Sequence, residues 1–193
     1  MLASVTTRVK EGCILHSTNR TFQLVLSAML ITLVFVATLF LNIKLPIAAN
    51  GGLVHLGSAM LFVIAILFGP KYGFIAGAFG MGLFDLVAGW TLWAPFTFIT
   101  RGLQGYIVGK IAWGNGRSGQ STSWNVTAIL VSIPFMLAGY YVCERVLYNS
   151  WVIPFASIPG NLVQNSVGLA IAIPVAIVLK RVTVLMHSNS KLG

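Results

Sequence analysis

The residues of this chain whose types and spacing could do chemistry are an aspartate in one apolar run, an arginine in the next, and a row of amides opening the last. Of three acidic residues, Asp85 is read as the one inside a membrane-length span. A charge at the centre of such a helix costs about 2.5–3.5 kcal/mol on insertion scales, so it faces a cavity or a partner. Asp85 lies five residues before Trp90, and Arg101 five after Phe96. At 1.5 Å per residue each sits roughly 8 Å below the outer end of consecutive antiparallel helices. Two readings follow: a buried pair that fixes helix register, or groups that set the polarity of a ligand site. Proton coupling has less support, because one carboxylate without a His or Glu relay is a poor pathway.

Asn161, Gln164, Asn165 and Gly168 follow at i, i+3, i+4 and i+7, which puts them on one helix face. Amides donate and accept at once, which suits a neutral heterocycle, although the same row could simply join helices. Trp90, Trp93, Trp151, Tyr148 and Phe155 occupy two outer loops. They form either an interfacial belt or, beside loop Asn50-Gly51-Gly52 and His55, a lid over a flat ligand. His55 alone reads equally as an interfacial histidine.

The elements that must position these groups follow from composition. The chain has 193 residues, 57% hydrophobic and 8% charged. Runs of about 20 apolar residues, each able to cross a core about 30 Å thick, imply an all-α integral membrane protein, a six-helix bundle. Expected spans are 22–43, 53–68, 72–89, 96–113, 125–147 and 159–179, with Lys180 and Arg181 ending the last. Residues 47–52 read as an ordered loop, and 114–124 as a polar linker. Residues 1–21 and 182–193 flank a membrane domain at 22–181. Nine of the twelve Lys and Arg fall on the side of the N-terminus, and Lys44, Arg101 and Arg145 on the other, so both termini are expected in the cytoplasm. Pro134 and Pro174 should bend their helices. Gly73, Gly77 and Gly80, with Gly105 and Gly109, should let backbones approach closely.

The net charge of +9 is spread singly between apolar runs, which argues against nucleic acid. Cys13 and Cys143 support no disulfide framework and no metal site. The first twenty residues lack the apolar stretch of a signal peptide. Paired carboxylates, nucleophile elbow and phosphate loop are all missing, so neither an enzyme nor a cofactor is implied. A site that binds without reacting points to a substrate-capturing subunit that needs partners. Rival readings are a membrane scaffold or channel subunit, and a self-sufficient proton-coupled transporter.

The stretches Gly52-Leu53-Val54-His55-Leu56-Gly57, Leu67 to Gly73, Asp85 to Trp90, Ala94 to Gly102 and Pro159 to Gln164 resemble the substrate-binding S components of energy-coupling factor (ECF) vitamin transporters. The nearest likeness is to the branch assigned to hydroxymethylpyrimidine, pyridoxine or riboflavin, with pantothenate as a further option. The resemblance implies a multi-pass protein of a bacterial plasma membrane that captures a vitamin at its outer face. It would dock on a transmembrane coupling subunit driven by two ATPase subunits, and topple in the bilayer to release its cargo. The family docking motif in the first helix is Ala-x-x-x-Ala, for which this chain offers Ala28-x-x-x-Thr32. Substrate-contacting residues implied here are Asn50, His55, Asp85, Trp90, Trp93, Arg101, Trp151, Asn161, Gln164 and Asn165.

Overall fold

The computed structural model describes residues 20–40, 42–44 and 53–189. Among them are six α-helices: α1 Arg20–Phe40, α2 Gly57–Phe68, α3 Pro70–Val87, α4 Ala94–Trp113, α5 Thr122–Tyr148 and α6 Ile158–Asn189. Short 3-10 turns at Gly114–Gly116 and Ile153–Ser157 lead into α5 and α6. The runs Arg20–Phe40, Thr122–Tyr148 and Ile153–Val182 are long and apolar enough to cross a membrane. Their large side chains Leu24, Met29, Leu130, Phe135 and Val178 face outward, as a lipid-facing surface requires.

Helix α2 is apolar on every side and is buried on every side, with Leu61, Phe62, Ile64 and Ile66 inaccessible. It packs against α1, α3, α4 and α6. Its twelve residues span roughly 18 Å at 1.5 Å each, short of a bilayer core. Two strands precede it, β1 Asn42–Lys44 and β2 Leu53–His55, paired antiparallel with Asn42 opposite His55. This corrects two expectations. The first helix stops at Phe40 rather than continuing to Ile43, and the second run starts as strand. The ladder pairs one edge of each segment, which gives part of their backbone groups the partners that a helix would otherwise supply.

The break at Gly69-Pro70 is as expected. Gly69 adopts φ +86°, Pro70 opens α3 at a position that needs no N–H, and Trp113 donates from Nε1 to the Ile66 carbonyl at 2.9 Å. Lys180 and Arg181 do not end the last helix, which continues to Asn189. Neither Gly nor Pro interrupts the sequence there, and Lys, Arg, Leu and Met are good helix formers. Pro134 and Pro174 both lie inside helices.

The closest helix pair is α3 with α4, and glycine makes it possible. A Cβ added to Gly73 would stand 2.6 Å from the Gly105 carbonyl oxygen, and one on Gly77 would stand 2.5 Å from that of Arg101. Gly109 packs in the same way on Pro70, while Gly80 takes the Val34 side chain of α1. The small-residue stripe therefore fixes the height of Arg101 against α3.

Candidate functional site

Arg101 lies two turns into α4 and is 2% exposed. Its Nε donates to the Tyr140 hydroxyl at 3.2 Å, and its Nη1 donates to the Gln104 Oε1 at 2.9 Å and to the Ser58 hydroxyl at 3.4 Å. The guanidinium also sits 5.2 Å from the Tyr140 ring centre. Gln104, one turn further along α4, donates from Nε2 to Asn165 Oδ1 at 2.8 Å. Asn165 Nδ2 then donates to the Asn161 carbonyl at 2.7 Å. From the other side, Gln164 Nε2 meets the Ser58 hydroxyl at 2.9 Å and His55 Nε2 at 2.8 Å. One connected set of side chains thus joins β2, α2, α4, α5 and α6.

Asp85 of α3 enters through hydroxyls. Its carboxylate faces the Thr97 hydroxyl and lies within electrostatic reach of Arg101. Thr97 Oγ1 is 3.2 Å from the Tyr140 hydroxyl. Proton directions are then fixed along the chain, because a carboxylate only accepts and a guanidinium only donates. Arg101 gives to Tyr140, Tyr140 to Thr97 and Thr97 to Asp85. The two charges expected at one depth are linked by two hydroxyls.

His55 is placed by the strand pair, and its ring lies 6.3 Å from that of Phe84. With the Gln164 amide donating, the imidazole accepts at Nε2 and is neutral. Burial first, and Arg101 second, push its pKa down to about 3. In the unfolded chain the ordinary value is 6.5. The folded state therefore has its full advantage above about pH 6.5 and loses it as pH falls toward 3, because unfolding releases a site that binds a proton. The purified protein in detergent should melt at progressively lower temperature from pH 6.5 down to 4. A His55→Gln variant should lose that part of the slope, and an identical slope in both would remove His55 as its source.

The aromatic residues divide into two groups. Trp90, Trp93 and Tyr148 pack edge to face, with ring centres 6.2 Å apart in each pair. Trp151 stands apart from the polar network and is 63% exposed; it packs on Tyr141 and takes the Arg145 guanidinium over its ring at 4.6 Å. Asn161 contributes its backbone carbonyl to the network. Asn50 lies outside the described residues. Ala28 and Thr32 are both exposed on α1, with the Thr32 hydroxyl returned to the Ala28 carbonyl at 2.9 Å.

Sequence reasoning missed Ser58, Thr97, Gln104 and Tyr140. Gln104 was within reach, since it falls at i+3 from Arg101 and shares its face. The expectation that Asp85 is the one carboxylate within a span also fails. Glu144 is 2% exposed inside α5, and its Oε2 accepts from the Ser157 hydroxyl at 2.8 Å. The turn before α6 wraps back over the end of α5 and shields this carboxylate, which the expected span 125–147 already contains.

Comparison with known proteins adds a lineage to this geometry. The family model described as ECF-type riboflavin transporter, S component, matches residues 18–181. A protein of Pyrococcus woesei, described as "Uncharacterized protein in gap 3'region", is 32% identical over 139 residues, covering 72% of this chain and 90% of its own. The thiamine precursor transporter HmpT of Lactococcus lactis subsp. cremoris (strain MG1363) is 28% identical over 163 residues, covering 84% of this chain and 90% of its own. A solved structure of the S component of a bacterial ECF transporter superposes with a TM-score of 0.62 over 87% of this chain and 98% of that one. At 18% identity that likeness is one of fold.

Proposed function

The chain belongs to the ECF-type riboflavin transporter S component family, membrane-embedded vitamin-transport subunits, and on that premise we propose that it captures a small aromatic vitamin or vitamin precursor of the hydroxymethylpyrimidine or pyridoxine type. The observation that carries this reading is the buried network of Arg101, Gln104, Asn165, Gln164, Ser58 and His55. Polar groups from four elements gathered within a helix bundle are costly in lipid unless they serve a solute. Amides that pair with each other can turn instead to a ring that both donates and accepts. The similarity to a thiamine precursor transporter favours a pyrimidine over a larger ligand.

In this reading the six helices form the membrane domain at 22–181, the short α2 crossing together with strand β2 ahead of it, and residues 1–21 and 182–193 lie in the cytoplasm. The site opens outward: Trp90 and Trp93 cover it, and Asp85 and Arg101 set its polarity. Asn50, Trp151 and Asn161 complete the proposed substrate contacts. Ala28 and Thr32 form part of the surface that meets a transmembrane coupling subunit, with two ATPase subunits supplying the energy.

A panel of hydroxymethylpyrimidine, pyridoxine, riboflavin and pantothenate, each added to the purified protein, tests the assignment. A ligand at 100 times its Kd adds about 2.7 kcal/mol. For a chain of this size each kcal/mol moves the melting temperature by about 2–4 °C, so the cognate compound should raise it by about 5–10 °C. Riboflavin is the second reading, because the family is described by that vitamin. A shift with riboflavin alone would move the assignment to it, and no shift with any compound would defeat the proposal.

A further inference from the structure

Asn125 lies in the first turn of α5, fifteen residues before Tyr140, hence roughly 22 Å along the helix from the polar network. It is 4% exposed, and its Nδ2 donates to the Gly119 carbonyl at 2.8 Å. That bond fixes which end of the amide is which, and leaves Oδ1 buried with no hydrogen-bond partner among the described residues. A buried acceptor left bare costs free energy that a bound donor restores.

Asn125 lines a recess of about 490 Å³ between the α4–α5 linker, the start of α5 and the later turns of α6. Lys180 and Arg181 line the same recess, with Gln120 and Thr122 at its edge. Lys180 Nζ gives one hydrogen to the Ser118 carbonyl at 2.9 Å, which leaves two of its three donors to point elsewhere. The first backbone N–H groups of α5 open beside Thr122, so the helix end adds partial positive charge. The described carboxylates, Asp85 and Glu144, both belong to the other end of the bundle. Donors and positive charge thus surround one unmet acceptor. An anion alone satisfies the cations but not Asn125, and a cation alone does the reverse.

We propose that this recess binds a phosphate ester carrying a hydroxyl or amino donor beside the phosphate, as in the glycerol headgroup of an anionic phospholipid or a free glycerol phosphate. The phosphate lies against Lys180, Arg181 and the α5 N-terminus, and the neighbouring hydroxyl donates to Asn125 Oδ1. The surroundings favour the lipid as the source. Val178 and Val182 of α6 and Trp124 of α5, each adjacent in sequence to a residue that lines the recess, are exposed apolar side chains along which acyl chains can lie. Basic recesses between helices at the membrane surface hold lipid headgroups on the same physical grounds.

The experiment is native mass spectrometry of the full chain in detergent with phosphatidylglycerol, phosphatidylcholine or glycerol 3-phosphate. Phosphatidylglycerol should be retained in preference to phosphatidylcholine, whose headgroup has no donor. Lys180→Gln with Arg181→Gln should weaken retention by at least about tenfold. Asn125→Leu, which keeps both cations, should narrow the preference between the two lipids to the part that the net negative charge of phosphatidylglycerol supplies. Each variant is compared at matched thermal unfolding, so that a fold defect is not mistaken for a lost site. Competition by glycerol 3-phosphate at equal concentration would assign the site to a soluble ester rather than a lipid. Retention of phosphatidylglycerol that is unchanged in both variants overturns the proposal, and so does binding of neither phosphate ester. None of these outcomes bears on which vitamin occupies the far end.

Discussion

Gly105→Val should leave no folded, ligand-binding protein. Glycine 105 faces Gly73 across the α3–α4 contact, and a Cβ placed on it collides with the Gly73 carbonyl oxygen and carbon. Leu61 Cδ1 stands 2.8 Å away on the remaining side. A flexible side chain can turn aside, but here the obstacle is backbone, so the helices must separate. Separation loses the other close approaches on the same seam, Gly77 on Arg101 and Gly109 on Pro70. Overpacking a core costs about 1–3 kcal/mol when side chains can adjust. Loss of a backbone seam belongs with the exceptional changes of about 4–5 kcal/mol. Lipid offers no hydrophobic drive to press the helices together again. Gly105→Ala should already lower the melting temperature, since its Cβ makes the same collision. Leu103→Val, two residues away and 41% exposed, should be nearly neutral. Thermal unfolding and size-exclusion profiles of the three variants in one detergent decide the matter, and a Gly105→Val protein that melts with the parent would show the seam to be dispensable.

That seam was legible in the sequence because glycines at four-residue spacing declare a helix face without knowledge of any partner. The same holds for Gln164 and Asn165, whose burial follows from helical spacing, and for the break at Gly69-Pro70. What was not legible depends on contacts between distant segments. The pairing of Asn42–Lys44 with Leu53–His55 is decided across an intervening loop, so a local scan of hydropathy extends both flanking helices through it. Ser58 and Tyr140 look like ordinary polar residues in apolar helices until α2 and α5 are rotated toward Arg101. Glu144 falls inside the expected span 125–147, but the partner it finds depends on the fold of Ile153–Ser157 over the end of α5. The partners of Trp151 were not legible either: its packing on Tyr141 and Arg145 depends on how the loop after α5 folds back.

The height fixed by glycine matters because of what it presents, and Arg101→Met should abolish vitamin binding. Methionine fills much the same space and removes three donated hydrogen bonds, to Tyr140, Gln104 and Ser58. Stability falls less than that count suggests. Ser58 keeps Gln164, Tyr140 keeps Thr97, and a buried charge no longer has to be desolvated. Gln104 Oε1 loses its short partner, and an unmet buried acceptor costs about 1–3 kcal/mol. At about 2–4 °C per kcal/mol the melting temperature should drop by several degrees while the protein stays folded. On the proposed reading the solute is met by the polar groups that Arg101 orders, Tyr140 and Gln104, and that order ends once their shared donor is gone. Arg101→Lys separates charge from geometry. An ammonium preserves the positive charge but cannot reach Tyr140 and Gln104 in a single fork. Loss of one charge-assisted bond of about 1.5–3 kcal/mol weakens binding about 10–100-fold. Calorimetric titration of the cognate vitamin into the parent and both variants should give this order: parent, then Lys, then no binding for Met. If Arg101→Met binds as the parent does, the solute is held elsewhere and the network joins helices and nothing more.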